Sequence, residues 1–390
     1  MAVILKKPNK ENKGIIIVTH KEGRTEPLFR KYRKHYLIGA HIGWDLSHDT
    51  KRVLANKPDF ILSSFSHLGN DIPKDVVIEL NARNFLADHF NYINKDKNYL
   101  LDSIDIVHNQ SVSKISQRTI ERIKNSDSDV IWDLLWVNRP LFGKNIREFL
   151  DSVKKLFTVY GKFNVLLVCA TGDHERSALG QTYHLDVIKH VNNMFTKEEL
   201  EYIDILKPES GRGCLGVDNK YIAPFYHWSK VFGFYSPVEG DARALHEALC
   251  GNCLIVNYKD LKGAGKDYLK EDNSYQFDSY EESYKTLYEA INSTKVIDLN
   301  YINEKCLQSS SIETLKEKLK PIYNKIGQTF DGVLLNVNRL SEELPGHNHN
   351  VPWKDKSNIA TGDLTPSMFN TFVNKSGILT DENNNPLNFS

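Results

Sequence analysis

Apolar residues in this chain gather into short continuous runs flanked by charge, and stretches with helical spacing separate many of them. The first run, residues 13–19, reads Lys-Gly-Ile-Ile-Ile-Val-Thr. A segment that is apolar at successive positions is buried on both faces, as a strand within a parallel sheet is. Runs at 36–39, 60–64, 76–80 and 104–108 predict further strands. Helices are predicted over 26–36, which is basic, and over 82–93 and 113–124. Strands alternating with helices predict an open α/β layer around a parallel sheet.

A second series of the same kind begins near Ser128. Residues 130–137 read as a strand. Over 145–160, Ile146, Phe149, Leu150, Val153 and Phe157 fall on one face of an amphipathic helix. Strands at 164–170, 202–206, 231–236 and 253–258 follow, with helices at 197–202, 241–249, 280–292 and 312–326. The expected organisation is a disordered tail over 1–13, a Rossmann-like unit over 14–127 and a second over 128–295. Helices over 296–340 pack back on the body, and an irregular extension occupies 341–390.

Composition narrows the partners. The 390 residues are 40% hydrophobic and 26% charged, with 50 Lys plus Arg against 50 Asp plus Glu. A balanced charge gives no general attraction to nucleic acid, and none is expected as a partner. No apolar run reaches the roughly 18–20 residues that span a bilayer, which leaves only peripheral membrane contact open. The N-terminal order, an apolar patch ahead of Lys6 and Lys7, does not fit a secretory signal. Five scattered cysteines fit a reducing compartment, so a cytoplasmic location is expected. Cys250 and Cys253 form a lone CxxC with no second ligand pair at metal-site spacing, which reads as two small buried side chains.

The chemistry concentrates at 236–256. Glu239 follows a strand end and precedes Gly240, where the backbone can turn sharply. Asp241 is placed to cap the next helix, Glu247 lies two turns into it, and Gly251 stops it. Spacing alone carries nothing, since Glu281 and Glu289 stand equally far apart on another helix. Context differs: the carboxyl ends of strands in an open α/β sheet form its ligand crevice. Free amides of Asp241 and Ala242 at the helix start would face an anion, and nearby carboxylates would accept from sugar hydroxyls. That combination suits a nucleotide sugar. The plain alternative is an acidic helix start stabilised by the helix dipole.

This stretch resembles the E-x7-E motif of retaining GT-B glycosyltransferases, the glycosyltransferase family 4 group and its relatives. The matching residues are Ser236, Glu239-Gly240, Glu247-Ala248, Gly251 and the strand 254–256. The family's Arg and Lys, five apart after the first strand of the C-terminal domain, correspond to Arg139 and Lys144. Residues 263–269 resemble the loop after the next strand, and Gly172 the loop beside the nucleotide. The resemblance covers 128–295 and only the outline of the N-terminal half. It implies two Rossmann-like domains facing a central cleft. It also implies transfer of a sugar from a nucleotide-diphosphate donor to a glycan, lipid or other hydroxyl acceptor, with retention.

By the resemblance, Arg139 and Lys144 bind the diphosphate. Glu239 stabilises positive charge at the sugar, and Glu247 holds the ribose. Gly240 and the amides of Asp241 and Ala242 bind sugar or phosphate. His67, Asn81 and Arg83 are candidates for the acceptor side. Donor binding needs no metal and no cofactor. The family's opening glycine pair is absent; His20 to Gly23 occupy its place. Competing readings are a metal-dependent GT-A site at Asp127-Ser-Asp129, a metal site at His347 and His349, a nucleotide-sugar epimerase or hydrolase, and a silent sugar-binding module.

Overall fold

The computed structural model describes residues 2–19, 30–42, 57–63, 77–79, 96–112, 115–126, 128–170, 184–209, 219–239, 243–262, 266, 268–302, 304, 312–335 and 376–389. Its strands are β1 (Ala2–Lys6), β2 (Gly14–Thr19), β3 (Tyr36–Ile42), β4 (Phe60–Ser63), β5 (Val77–Glu79), β6 (Trp132–Asn138), β7 (Val165–Cys169), β8 (Ile203–Leu206), β9 (Ser229–Phe234), β10 (Leu254–Tyr258) and β11 (Ser274–Phe277). Its α-helices are α1 (Lys97–His108), α2 (Gln117–Asn125), α3 (Ile146–Tyr160), α4 (Val187–Met194), α5 (Lys197–Leu200), α6 (Asn219–His227), α7 (Arg243–Cys250), α8 (Ser283–Ile291) and α9 (Ile312–Lys325). The chain divides into two units, one of Met1–Ala87 with Lys305–Ser390, the other of Asp88–Glu304.

The first unit is a sheet in the order β1-β2-β3-β4-β5, antiparallel between β1 and β2 and parallel beyond. Strand alternation divides its side chains between two cores. Val3, Leu5, Ile15, Ile17, Leu37, Phe60 and Leu62 meet Leu315, Leu319, Ile322 and Tyr323 of α9. Ile4, Ile16, Tyr36 and Ile38 face the other way and meet Tyr32, Ile378, Leu387 and Phe389. The C-terminal residues 376–389 thus cover one face of this sheet. Tyr36 donates its hydroxyl to Ile378 O at 3.1 Å, and Phe389 sets its ring edge-on to Tyr32 at 5.1 Å.

A disordered tail over 1–13 is therefore corrected for its first residues. Ala2–Lys6 is a strand because Val3 and Leu5 fill one core and Ile4 the other. Its last residue, buried Lys6, pairs with Asp331. Burial pushes the Asp331 carboxyl up, but the Lys6 hydrogen bond and the Val333 amide outweigh it and hold the group below the ordinary carboxylate range.

The second unit is a fully parallel sheet, β11-β10-β9-β6-β7-β8. Counted in its own sequence order this is 3-2-1-4-5-6, the Rossmann order, and the strand direction of travel reverses between β6 and β9. The expected strand at 104–108 is instead part of α1. Asp96 caps that helix, and Leu100, Ser103, Ile104 and Val107 form its buried side, which is helical spacing. The unit starts at Asp88, ahead of the break expected near 125–130, because α1 and α2 pack on it. Tyr99 of α1 donates to Lys220 O of α6 at 2.9 Å. Thr119 of α2 donates to Asp204 of β8. Asp204, 2% exposed, also accepts from Trp132 Nε1 at 2.8 Å and the Ser116 amide at 3.3 Å.

Candidate active site

The exits of β6 and β9 carry the residues of interest. After β6 the chain makes a tight turn, with the Leu141 amide donating to Arg139 O at 2.7 Å. Leu141 bridges His184, and the Leu185 amide reaches Pro140 O at 2.7 Å, fastening the turn from the far side. A 3-10 turn over Phe142–Lys144 follows. Asn145 then takes a left-handed conformation, φ 52° and ψ 41°, which asparagine tolerates, and α3 begins. Arg139 and Phe142 are exposed, whereas Lys144 is half-buried.

The β9 exit is anchored from inside the fold. Buried Tyr235 donates its hydroxyl to Ser283 Oγ at 2.9 Å, and Ser283 shares a 2.5 Å hydrogen bond with Ser152 of α3. Tyr280 donates to Tyr235 O at 3.1 Å. Burial pushes the Tyr235 phenol well above its ordinary range, so this network is neutral. Beyond it, the Glu239 amide donates to Lys262 O and the Lys262 amide to Pro237 O, both at 2.9 Å. Ser236 Oγ is buried without a hydrogen-bond partner among the described residues.

These two exits converge. Lys144 Nζ forms an ion pair with Glu239 Oε2, and the two side chains are only 12% and 13% exposed. The residues stand 95 apart in sequence. They come together because β6 and β9 are neighbours and both exit on the same edge, where the strand order reverses. That reversal point is the ligand crevice of a doubly wound sheet. A carboxylate and an ammonium held there can act on an anionic ligand that draws the ammonium and on a cationic centre that draws the carboxylate.

Glu247 is placed differently. Its Oε2 accepts from the Tyr226 hydroxyl of α6 at 2.9 Å. α6 lies close because Gly251 has no side chain: a Cβ there would stand 2.4 Å from Tyr226 Cβ. Sequence reading missed Tyr226. The signal was available in the aromatic run Phe225, Tyr226 and Trp228, all buried just ahead of β9. Cys250 and Cys253 are both buried, and neither is in a disulfide. Cys253 donates to Tyr226 O at 3.0 Å, and burial pushes its thiol well up. Among the described residues no group of three or more His, Cys, Asp or Glu side chains could hold a metal ion.

Gly240, Asp241, Ala242, Gly172, His67, Asn81, Arg83, His347 and His349 lie outside the described residues. So does Asp127; around it, Ser126 and Ser128 accept hydrogen bonds from the amides of Ser128 and Val130, a polar turn ahead of β6. No described helix is long and apolar enough to cross a membrane.

No protein-family model matches the chain, and no curated protein matches it in sequence. Solved structures do match. The N-terminal domain of a trehalose-6-phosphate phosphatase from Candida albicans aligns over 80% of this chain and 71% of its own, with 12% identity and a TM-score of 0.50. An α,α-trehalose 6-phosphate synthase from Burkholderia multivorans aligns over 81% and 72%, with 9% identity and a TM-score of 0.49. A glycosyltransferase from Rickettsia africae aligns over 76% and 72%, with 13% identity and a TM-score of 0.47. At such identity the likeness is one of fold. The fold class is α/β with two Rossmann-like units, the GT-B class.

Proposed function

We propose that this chain is a glycosyltransferase that moves a sugar from a nucleotide-diphosphate donor to a hydroxyl acceptor with retention at the anomeric carbon. The observation that carries the reading is the Lys144–Glu239 ion pair at the strand-order reversal of the second unit. Glycosyl transfer passes through an oxocarbenium-like state, which needs negative charge near the anomeric carbon and neutralisation of the departing phosphate. Glu239 supplies the first and Lys144, with Arg139, the second. Because the positive charges of Lys144 and Arg139 come from side chains, the diphosphate is neutralised without a metal. Glu247, oriented by the Tyr226 hydroxyl, accepts from the ribose. By the resemblance, Gly240, the amides of Asp241 and Ala242, and Gly172 belong to the donor side, and His67 is the candidate for the acceptor side. The leaving phosphate takes the acceptor proton on the face it vacates, so no separate base is required.

A thermal-shift screen against UDP-, GDP- and ADP-sugars tests the reading. Stabilisation by one donor, lost in Lys144→Ala, is the expected result. Transfer to acceptor that persists in excess EDTA, with the product anomer matching the donor by NMR, completes it. No stabilisation by any donor would overturn it, and an epimerised or merely hydrolysed sugar would replace transfer with those activities.

A further inference from the structure

Two polar side chains lie deep in the second unit behind the ion pair. Ser236 and Asn257 are each 1% exposed. Neither Ser236 Oγ nor Asn257 Oδ1 has a hydrogen-bond partner among the described residues. Asn257 Nδ2 donates to Tyr258 O at 2.8 Å, so Oδ1 is the end of the amide left bare. The strand that leads to it, Leu254, Ile255 and Val256, is apolar and buried. Buried polar groups are nearly always paired, and a bare one destabilises the fold where an apolar side chain would not.

The two side chains share one face of the sheet. Gly233 and Tyr235 face α3 and α8: a Cβ on Gly233 would meet Phe149 at 2.4 Å, and the Tyr235 hydroxyl reaches Ser283. Side chains alternate along an extended chain, so Phe232, Phe234 and Ser236 face the other way. The Phe232 ring accordingly lies 5.9 Å from that of Tyr226 on α6. Asn257 pairs in parallel register with Phe234 and joins that face. It stands diagonal to Ser236, a separation that one bridging group spans. Tyr226 brings Glu247 to the same face, and Glu239 follows Ser236 by three residues.

An amide oxygen only accepts, whereas a serine hydroxyl donates as well. The group that suits both is a hydroxyl, donating to Asn257 and accepting from Ser236. With Glu239 at the anomeric carbon, a hydroxyl that reaches back to Ser236 belongs to the far part of the sugar. We propose that Ser236 and Asn257 bind a hydroxyl of the donor sugar remote from the anomeric carbon, so that the donor is a hexose bearing that hydroxyl and its deoxy form is refused. The inference rests on the glycosyltransferase reading and adds two residues that set donor choice. A deoxy sugar leaves both atoms bare in the complex, which is how a polar pocket rejects an analogue lacking one hydroxyl.

The test uses the full chain in titration calorimetry with UDP-glucose, GDP-mannose, ADP-glucose and the 3-, 4- and 6-deoxy forms of each sugar. The wild type is expected to lose about tenfold or more in affinity for its donor when one of these hydroxyls is removed. Ser236→Ala and Asn257→Leu are expected to bind the intact donor as weakly as the wild type binds that deoxy form, and to bind the deoxy form no worse than the wild type does. Ser236→Ala is also expected to melt at or above the wild-type temperature, because it removes an atom that has no partner. If the wild type binds intact and deoxy donors alike while Lys144→Ala loses binding, the glycosyltransferase reading stands and the inference is refuted. A Ser236→Ala melting temperature lower by more than about 2 °C would show that the hydroxyl already serves the fold, and refutes it as well. If folded wild-type protein binds none of the intact donors, the reading itself falls and the inference with it. Should Asn257→Leu not fold, Ser236→Ala alone decides.

Discussion

Removing one partner of the Lys144–Glu239 pair leaves the other charge in a nearly closed setting. Stripping one member from a fully buried pair costs about 3–5 kcal/mol, whereas an exposed pair is worth about 0–1 kcal/mol. With side chains 12% and 13% exposed, this pair is close to the buried limit but not dry. Lys144→Met and Glu239→Gln are each expected to cost about 2–3 kcal/mol. In a unit of this size that lowers the melting temperature by roughly 5–10 °C. The double variant removes both charges together, so it should cost less than the two singles combined, with a coupling of about 2–3 kcal/mol. Urea unfolding followed by tryptophan fluorescence measures all four proteins, since Trp132, Trp136 and Trp228 are buried in the second unit. The same four proteins are assayed for sugar transfer. The double variant is expected to lose no more stability than either single and to show no transfer, as the proposed roles of both charges in the reaction require. Single-variant costs below about 0.5 kcal/mol would place the pair in the exposed class and refute the geometry. Wild-type transfer in the double variant would reduce the pair to scaffolding.

Three further outcomes are expected. Asp204→Ala leaves Thr119 Oγ1, Trp132 Nε1 and the Ser116 amide without their acceptor, at about 1–3 kcal/mol each for the buried donors; urea unfolding within about 0.5 kcal/mol of wild type would contradict the network. Asp331 is held below the ordinary carboxylate range, so its contribution is complete above the unfolded value of about 3.9 and is lost as pH falls through the folded pKa. Asp331→Asn should therefore lower stability at neutral pH and flatten the acid limb of a urea-midpoint series, and an unchanged acid limb would exclude this pair as its source. Truncation after residue 375 uncovers Ile4, Ile16, Tyr36 and Ile38. Burial of Ile378 alone contributes about 1.5–3 kcal/mol, so a lower melting temperature and new binding of an apolar dye are expected, and an unaltered melt would show that this segment does not hold the sheet.

Much of the second unit was legible because its strands are continuous apolar runs and α3 has a clean apolar face. Residues 104–108 misled because Ile-Asp-Ile-Val-His alternates over so short a window. The helical phase shows only when Leu100 and the polar but buried Ser103 are counted. β11 was missed since only Ser274 and Phe277 of its four residues are buried, and α6 because Pro224 stands inside it. At the site, Lys144 and Glu239 could be named separately by resemblance. Their meeting depends on β9 returning beside β6, a long-range choice that no local pattern encodes. Tyr226 as the partner of Glu247 depends on the same kind of contact, made by two helices pressed together at Gly251.

The division of the chain also sets an order of events during synthesis. The unit of Asp88–Glu304 is a single continuous segment and can complete itself once residue 304 has left the ribosome. The unit that begins the chain cannot. Its β1, β2 and β3 emerge first, yet one face of their sheet waits for α9 and the other for Ile378 and Phe389. Domains usually fold in the order they are made. Here the middle of the chain is finished before its beginning, and strands bearing Ile15, Ile16 and Ile17 remain uncovered through most of translation. Nascent chains stalled before residue 312 should for that reason be held by chaperones through the segment from β1 to β3.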